Sequence, residues 1–393
     1  MRWRNLSLHM PELWTNLRIV WPRKKKLVLL LSKWMSRAPS SSPTRSGGLS
    51  LSLYEGCDKR NVAPTRAILH LLLDHSRGYR TLELDLNTPV RQLVPRALLE
   101  DRGSPDVNPS PFYPPAGLES LKIVLRNFAP IPNGQPGEDS GYFIRFLHAS
   151  PHLKDAMYDN SIVPLPLDRV CETWKNLRTL KLYLSQPLPE LLHALTRCVS
   201  LEKLKIYTQS DFAPRDPHTG QVDPVYALDI PHAVLPNLKA LELPDFGQIE
   251  VLFDSITANS LTSLDIGRMN SFAWRSMTRM LERSDAYLQT LILRKAGLYP
   301  SGAERKAEGA RLLETLKTKE MAGLSSLKVG FPVGNGLLQM LTLSVTNVHS
   351  ELQDQNNREY LPILTALSLN VHDIKSHSGE GLRLIPVAYT ASD

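Results

Sequence analysis

The phrases Leu177-Arg178-Thr179-Leu180-Lys181-Leu182 and Leu201-Glu202-Lys203-Leu204-Lys205-Ile206 are near copies of each other and start 24 residues apart. Leucine or isoleucine occupies the first, fourth and sixth places, and polar residues fill the others. We call this six-residue pattern the repeat phrase, number its places one to six, and call the residue that follows it place seven. The alternation of apolar and polar residues in its second half predicts a β-strand with one buried face.

The repeat phrase recurs along most of the chain. Six more clear copies begin at Leu118, Leu238, Leu261, Leu288, Leu324 and Leu364, and degenerate copies begin at Tyr79 and Leu153. From Leu153 onward, successive copies start between 23 and 40 residues apart. The shorter steps match leucine-rich repeats, and the longer ones indicate insertions, so the chain is predicted to hold about ten irregular units.

The segments between the phrases have a helical pattern. Apolar residues form one stripe over 188–198, and Met277, Met280 and Leu281 form another. Parallel strands joined by crossover helices are almost always right-handed. We therefore predict an α/β fold, a right-handed leucine-rich-repeat solenoid with a curved parallel sheet inside and helices outside.

A doubly wound α/β domain is the alternative, because its buried parallel strands are also apolar. Such a domain binds nucleotides at a glycine-rich turn. The run 330–336 lacks the spacing of that turn and holds Pro332 where a helix would begin, so we interpret it as a plain loop. The proline-rich stretches 105–115, 129–136 and 211–236 are interpreted as loops inserted between units.

The bulk composition is that of a folded protein. Hydrophobic residues make up 42% and charged residues 22% of the 393 residues, and the formal net charge is +7. The basic residues are spread along the chain, so we predict no nucleic-acid partner. The apolar run 27–31 is too short to span a bilayer, so no membrane association is predicted.

The three cysteines, Cys57, Cys171 and Cys198, are too few and too widely spaced for a disulfide framework or a four-thiolate zinc site. This favours a reducing, intracellular compartment, the cytoplasm or the nucleus. The basic run 23–26 has two interpretations, a nuclear-import signal or the solvated start of a helix or strand.

Motifs for catalysis and metal binding are missing from the sequence. The histidines do not cluster like metal ligands, and no P-loop lysine or paired-cysteine motif occurs. Asp74, His75 and Ser76 are consecutive, whereas catalytic triads are assembled from separate segments. We predict that the chain is not an enzyme and uses no cofactor or metal.

The amino-terminal residues place Trp3, Leu6 and Met10 on one helical face, which Pro11 should end. This segment resembles the last helix of the F-box in the large fungal family of F-box proteins with leucine-rich-repeat-like tails. In that family a tryptophan-arginine pair precedes a proline and a leucine-tryptophan. The corresponding residues here are Trp3, Arg4, Pro11, Leu13 and Trp14, and Leu6 is assigned to the same F-box remnant.

The resemblance implies the substrate-recognition part of an F-box-type (SCF) ubiquitin ligase subunit. It divides the chain into an F-box remnant with its connection at 1–35, a Ser/Pro/Gly-rich linker at 36–48 and the repeat domain at 49–393. The family's F-box begins with a leucine-proline segment and two helices that bind the ligase adaptor, so adaptor binding is expected only if those helices exist. The alternatives are a truncated gene model or an adaptor-free interaction scaffold without a link to ubiquitin.

A target protein is expected on the concave side of the sheet. Places four and six should point into the core, so places three, five and seven should face outward. The candidate partner-binding residues are Lys122, Lys181, Tyr183, Lys203, Lys205, Tyr207, Glu242 and Asp265. Tyr183 and Tyr207 each follow a lysine by two residues, and on adjacent strands they would form an interface hot spot. The alternative is an ordinary solvated sheet face with tyrosines packing across strands.

Overall fold

The fold is taken from a computed structural model of the chain. The structure describes residues 16–20, 47–53, 79–86, 117–125, 150–159, 174–184, 188–208, 230–267, 271–294, 302–331 and 364–369. The chain divides into two compact units, unit 1 from Met1 to Leu201 and unit 2 from Glu202 to Asp393, and each is described by itself.

The described part of unit 1 is a parallel sheet followed by a short helix. Its strands are β1 (Asn16–Val20), β2 (Gly47–Leu53), β3 (Tyr79–Leu86), β4 (Ser120–Leu125), β5 (Asp155–Asp159) and β6 (Thr179–Leu184). Each strand pairs in parallel with the next one in the chain. Helix α1 (Leu188–Leu195) follows β6.

The described part of unit 2 combines a second run of parallel strands with helices. The strands in sheet order are β7 (Lys203–Thr208), β9 (Ala240–Asp245), β11 (Ser263–Ile266), β12 (Thr290–Leu293), β13 (Ser326–Val329) and β14 (Ala366–Leu369). A separate parallel pair joins β8 (Ala233–Val234) to β10 (Ile256–Thr257). The helices are α2 (Ile249–Ser255), α3 (Ser271–Ser284), α4 (Gly302–Leu316) and a 3-10 helix at Lys319–Met321.

The strands pair so that equal places of the repeat phrase lie side by side. In unit 1 the place-four residues Leu82, Leu121, Ala156 and Leu180 are successive partners. In unit 2 the corresponding partners are Leu204, Leu241, Leu264, Leu291, Leu327 and Leu367. The prediction that every copy of the phrase within the described residues forms a parallel strand is therefore confirmed.

Strands β1 and β2 continue the same register at the amino-terminal edge of the unit 1 sheet. Leu17 pairs with Leu49, which pairs with Leu82. Neither strand belongs to a copy of the repeat phrase, because place one is Trp14 before β1 and Ser46 before β2. The parallel sheet of unit 1 is thus two strands wider than the phrase alone predicts.

The backbone is held in the same way at the start of successive strands. The carbonyl oxygen of the place-two residue accepts hydrogen bonds from two N–H groups of the next copy of the phrase. Glu119, for example, accepts from Lys154 at 2.7 Å and from Asp155 at 3.0 Å. The same pair of bonds occurs at the carbonyls of Lys154, Glu202, Lys239, Thr262, Gln289 and Ser325. This recurrence shows that the repeat lies in the backbone hydrogen bonding as well as in the leucines.

A turn of fixed form precedes most copies of the phrase. The N–H of place one donates to the carbonyl oxygen three residues earlier, as Leu177 does to Trp174 at 3.0 Å. The residues that accept this bond are all buried: Ser150, Trp174, Cys198, Leu235, Ala258 and Met321. Leu288 departs from the pattern, since its N–H donates to Glu320 and Asp285 adopts a φ of 46°.

The core is built from places one, four and six. Place-four side chains from Leu82 to Leu327 are at most 5% exposed, and only the last described one, Leu367, reaches 45%. Burying a leucine side chain stabilises a fold by about 1.5–3 kcal/mol, so a row of such leucines dominates the stability of the sheet. Place six of β5 is a tyrosine, Tyr158, which is buried like its neighbours.

The predicted helices are confirmed where the structure describes them. The stripe over 188–198 becomes α1, whose side chains at Leu188, Leu191 and Leu195 are buried. Cys198 lies buried in the turn after α1, with its Sγ 3.5 Å from the carbonyl oxygen of Ala194. Met277, Met280 and Leu281 are buried on α3.

Helices α2 and α3 contact each other through two arginines. Arg279 of α3 forms an ion pair with Asp254 of α2, with 2.9 Å between Nη2 and Oδ2. Arg283 donates to the carbonyl oxygens of Phe253 and Ile256, each at 2.6 Å. These carbonyls lie at the end of α2, where the helix itself supplies no donor, so Arg283 caps it.

The strand order bears on the two fold predictions. Within each unit the described strands of the main sheet follow the chain in order, without the reversal that a doubly wound sheet needs at its switch point. The α/β class with parallel strands is confirmed. Of the predicted proline-rich loops, 105–115, 129–136 and most of 211–236 lie outside the described residues, and 230–236 contains β8.

Candidate functional site

One face of each sheet carries the side chains of places three, five and seven. These side chains are mostly half-exposed or exposed, in contrast to the buried leucines between them. Place five forms a continuous row of partners, Glu83, Lys122, Met157 and Lys181 in unit 1 and Lys205, Glu242, Asp265, Ile292, Lys328 and Ser368 in unit 2. We call all the side chains at places three, five and seven the outward row of each unit.

The outward row of unit 1 contains a cross-strand ion pair. Lys122 on β4 donates to the Glu83 carboxylate on β3, its partner in the register. Lys181 and Tyr183 lie further along, half-buried on β6. The predicted residue Lys122 is therefore already paired with a carboxylate within its own sheet.

The outward row of unit 2 begins with Lys205, which has two partners. Its ammonium donates to the Glu242 carboxylate on the neighbouring strand and lies 5.3 Å from the centre of the Tyr207 ring. Burial alone would lower the pKa of Lys205, but hydrogen bonds to Glu242 and Tyr207 and their charges outweigh it, so the pKa is raised. The lysine is held in its charged form between an anion and an aromatic face.

Asp265 and Arg294 form the second ion pair of this row. Arg294 Nε lies 2.8 Å from Oδ1 of Asp265, and Nη2 lies 2.5 Å from Oδ2. The Asp265 side chain is 7% exposed and that of Arg294 is 50% exposed, so the guanidinium covers the carboxylate. Hydrogen bonding to Asp265 raises the pKa of Arg294. Two parallel hydrogen bonds of this kind fix the plane of the guanidinium.

Glycines at place seven lie on both sides of Arg294. Gly267 follows β11 and Gly330 follows β13, while Arg294 follows β12 between them. A Cβ atom on Gly267 would overlap the carbonyl of Pro244, and one on Gly330 would overlap the carbonyl of Arg294 itself. Only glycine lets the chain pass so close to the neighbouring backbone, and the two positions project no side chain beside Arg294.

The structure brings four of the predicted residues together in unit 2. Lys205 contacts both Tyr207 and Glu242, and Asp265 is the partner of Glu242 in the register. Lys203 lies exposed on β7 at place three.

The predicted hot spot pairs residues from both units, Tyr183 and Lys181 from unit 1 with Tyr207 from unit 2. It stays a prediction. The proposed F-box remnant, Trp3, Leu6, Pro11, Leu13 and Trp14, lies outside the described residues.

Arg294 is the site residue that sequence reasoning missed. Its phrase has the apolar Ile292 at place five, so the charges at place five do not indicate that copy as a binding position. The available signal was the pattern at place seven, where Gly267, Arg294 and Gly330 occur in consecutive copies. A charged residue between two glycines on adjacent strands has no neighbouring side chain at its own place.

Within the described ranges, no helix is long and apolar enough to cross a membrane. In the same part of the chain, no group of three or more histidine, cysteine, aspartate or glutamate side chains is placed to hold a metal ion. No protein-family model matches the chain. No curated protein matches it in a comparison of sequences.

Proposed function

We propose that the chain is a right-handed leucine-rich-repeat solenoid whose outward row binds a target protein. Strands that follow one another in chain order, with one phrase in one register, support the repeat architecture. A repeat of this kind presents one strand face to a partner and buries the other.

The observation that carries the proposal is the composition of the outward row. In unit 2 it combines Lys205, Tyr207, Glu242, Asp265 and Arg294, which are charged or aromatic and belong to neighbouring strands. Tyrosine and arginine are the side chains that most often anchor protein interfaces. Positions held rigidly by a sheet lose little conformational freedom on binding.

We further propose that the target is held for a ubiquitin ligase of the F-box (SCF) type. The support is the resemblance of residues 3–14 to the last F-box helix. In this role the chain carries out no chemistry. It raises the local concentration of a target near a transferring enzyme, intracellularly in the cytoplasm or the nucleus.

The test combines a photo-crosslinker with co-precipitation. Replacing Ile292 by benzoylphenylalanine puts the crosslinker in the outward row, and the same replacement at exposed Arg275 on α3 is the matched control. We expect a target protein crosslinked from position 292 and not from 275, in a complex that also contains the ligase adaptor and a cullin. Equal crosslinking from both positions would contradict the binding face.

The same experiment separates the ligase from a scaffold without a link to ubiquitin. A target crosslinked from position 292 in complexes that lack adaptor and cullin would support the scaffold and contradict the ligase role. The result is read by immunoblotting for the adaptor and the cullin in each precipitate.

A further inference from the structure

The buried carboxylate of Asp265 orients the Arg294 side chain. Two of its donors, Nε–H and one N–H of Nη2, are used by Asp265. A guanidinium carries five N–H donors in a planar fork. Within the described residues, no other side-chain oxygen accepts a hydrogen bond from Arg294, whose side chain is 50% exposed.

The place-seven residues of both strands next to Arg294 are glycines, so these positions put no side chain beside it. Gly267 is buried and Gly330 is half-exposed. At place five, Ile292 is half-buried, and Lys328 on the next strand is exposed. Adjacent strands are about 4.8 Å apart, so Lys328 and Arg294 can contact one bound group from two sides.

The exposed charge of this row is positive. Places three, five and seven of unit 2 hold four cations, Lys203, Lys205, Arg294 and Lys328, and two carboxylates, Glu242 and Asp265. Both carboxylates are paired and partly covered, at 38% and 7% exposure. Lys203, Arg294 and Lys328 are exposed. At the Arg294 end of the row a partner therefore meets the exposed cations Arg294 and Lys328, while Asp265 is covered, which favours an acidic segment there.

We propose that Arg294 binds a carboxylate of an acidic peptide segment in the target, with Lys328 beside it and Asp265 as the positioning residue. This inference rests on the proposed protein-binding function and names the chemistry of the partner. Arginine suits the role better than lysine, because its planar fork matches the two oxygens of a carboxylate. Orientation by Asp265 lowers the entropy that the side chain loses on binding.

The test measures binding of a fluorescein-labelled peptide of six glutamates, with a peptide of six glutamines as reference, by fluorescence anisotropy. We expect the glutamate peptide to bind more tightly than the glutamine peptide, and increasingly weakly as salt is added. Arg294→Lys keeps the charge and loses the fork, and we expect it to weaken glutamate binding by about tenfold, the size of one charge-assisted hydrogen bond.

The matched control is Arg279→Lys on α3. Arg279 also pairs with an aspartate and is also about half exposed, but it lies outside the outward row. Non-specific attraction between the basic chain and a polyanion would leave all three proteins equal, because both variants keep the charge. Equal affinities for parent and Arg294→Lys, or equal binding of the two peptides, would overturn the proposal.

Asp265→Asn separates positioning from simple charge. Removing an anion should tighten binding of an acidic peptide if only net charge matters. If Asp265 positions Arg294, binding should instead weaken by about threefold, because a less restrained Arg294 side chain loses more conformational entropy when it binds. Tighter binding would contradict the positioning role of Asp265.

The crosslinking experiment distinguishes a failure of carboxylate recognition from a failure of the proposed protein-binding function. A target that is still crosslinked from position 292, and whose capture is insensitive to Arg294→Lys, would overturn carboxylate recognition and leave the binding face standing. Loss of the crosslink at position 292 would refute both.

Discussion

The two faces of one strand behave very differently along this chain. On the inward face of β12, Leu291 is fully buried and aligned with the leucines of its neighbours. On the outward face of the same strand, Ile292 has Asp265 on one side and Lys328 on the other. Inward places repeat because they must fill one continuous core, whereas outward places vary because solvent tolerates many residue types. The repeated face determines the register, and the variable face is available for recognition.

The largest effect should come from truncating the inward face. We expect Leu291→Ala to lower the free energy of unfolding by about 2–5 kcal/mol, because it removes buried methyl groups and leaves a cavity. Ile292→Ala, one residue away on the outward face, should cost about 1 kcal/mol or less. Urea unfolding followed by circular dichroism measures both. Similar losses for the two variants would show that the faces do not differ as described.

A smaller loss is expected where the outward face requires glycine. Gly267→Ala should destabilise by about 1–3 kcal/mol, since the backbone must move to admit the new Cβ next to Pro244. Gly323 is the matched control, because a Cβ there would meet its nearest atom, the Leu288 carbonyl oxygen, at an ordinary 3.5 Å. Gly323→Ala should stay within about 1 kcal/mol of the parent. If both variants unfold at the same urea concentration, the close approach at Gly267 is not a constraint.

The two ion pairs of the outward row in unit 2 should contribute still less to the stability of the fold, and their contributions should differ. Asp265 is nearly buried beneath Arg294, so Asp265→Asn should cost about 1 kcal/mol through the loss of charge-assisted hydrogen bonds. Glu242 is 38% exposed, and Glu242→Gln should cost about 0.5 kcal/mol or less, as solvent screens the pair with Lys205. Thermal unfolding at low and high salt checks the order. A larger loss of stability for Glu242→Gln than for Asp265→Asn would contradict the expectation that the more buried ion pair contributes more.

The sequence predicts the strands well because their register depends on a periodic apolar pattern. Leu204, Leu241 and Leu264 each occupy place four of a phrase with leucine or isoleucine at places one and six, and the register follows directly from that alignment. The phrase misses β1 and β2, since place one there is a tryptophan and a serine. In those strands the places four and six alone keep the register.

The candidate site is harder to predict, because outward positions follow no period. The pairing of Lys205 with Glu242 is predicted from the phrase alone, since place five of adjacent strands must be neighbours, and Tyr207 follows Lys205 by two residues on the same face. The contact between Arg294 and Asp265 crosses from place seven of one strand to place five of the next. Such a diagonal depends on the rotamer of a long side chain, and a pattern of residue types does not determine it.

The last prediction concerns the one described polar residue at place six of the inward face, Tyr158. Complete burial raises the pKa of its hydroxyl well above the ordinary value of 10.0, because the phenolate would lose its hydration. A pKa that is higher in the folded than in the unfolded chain adds stability that is fully present below the unfolded pKa and is lost as the pH rises through the folded one.

Stability should therefore fall as the pH rises above about 10, and Tyr158→Phe should remove this part of the fall. The midpoint of urea unfolding at each pH measures the difference between the two proteins, which should shift in favour of Tyr158→Phe as the pH rises above about 10. Leu182→Met is the control, since Leu182 is the buried register partner of Tyr158 and has no titratable group, and its variant should show the same alkaline fall as the parent. An alkaline loss of stability that is the same in all three proteins would show that the inward face tolerates an ionised tyrosine, against the distinction between the two faces.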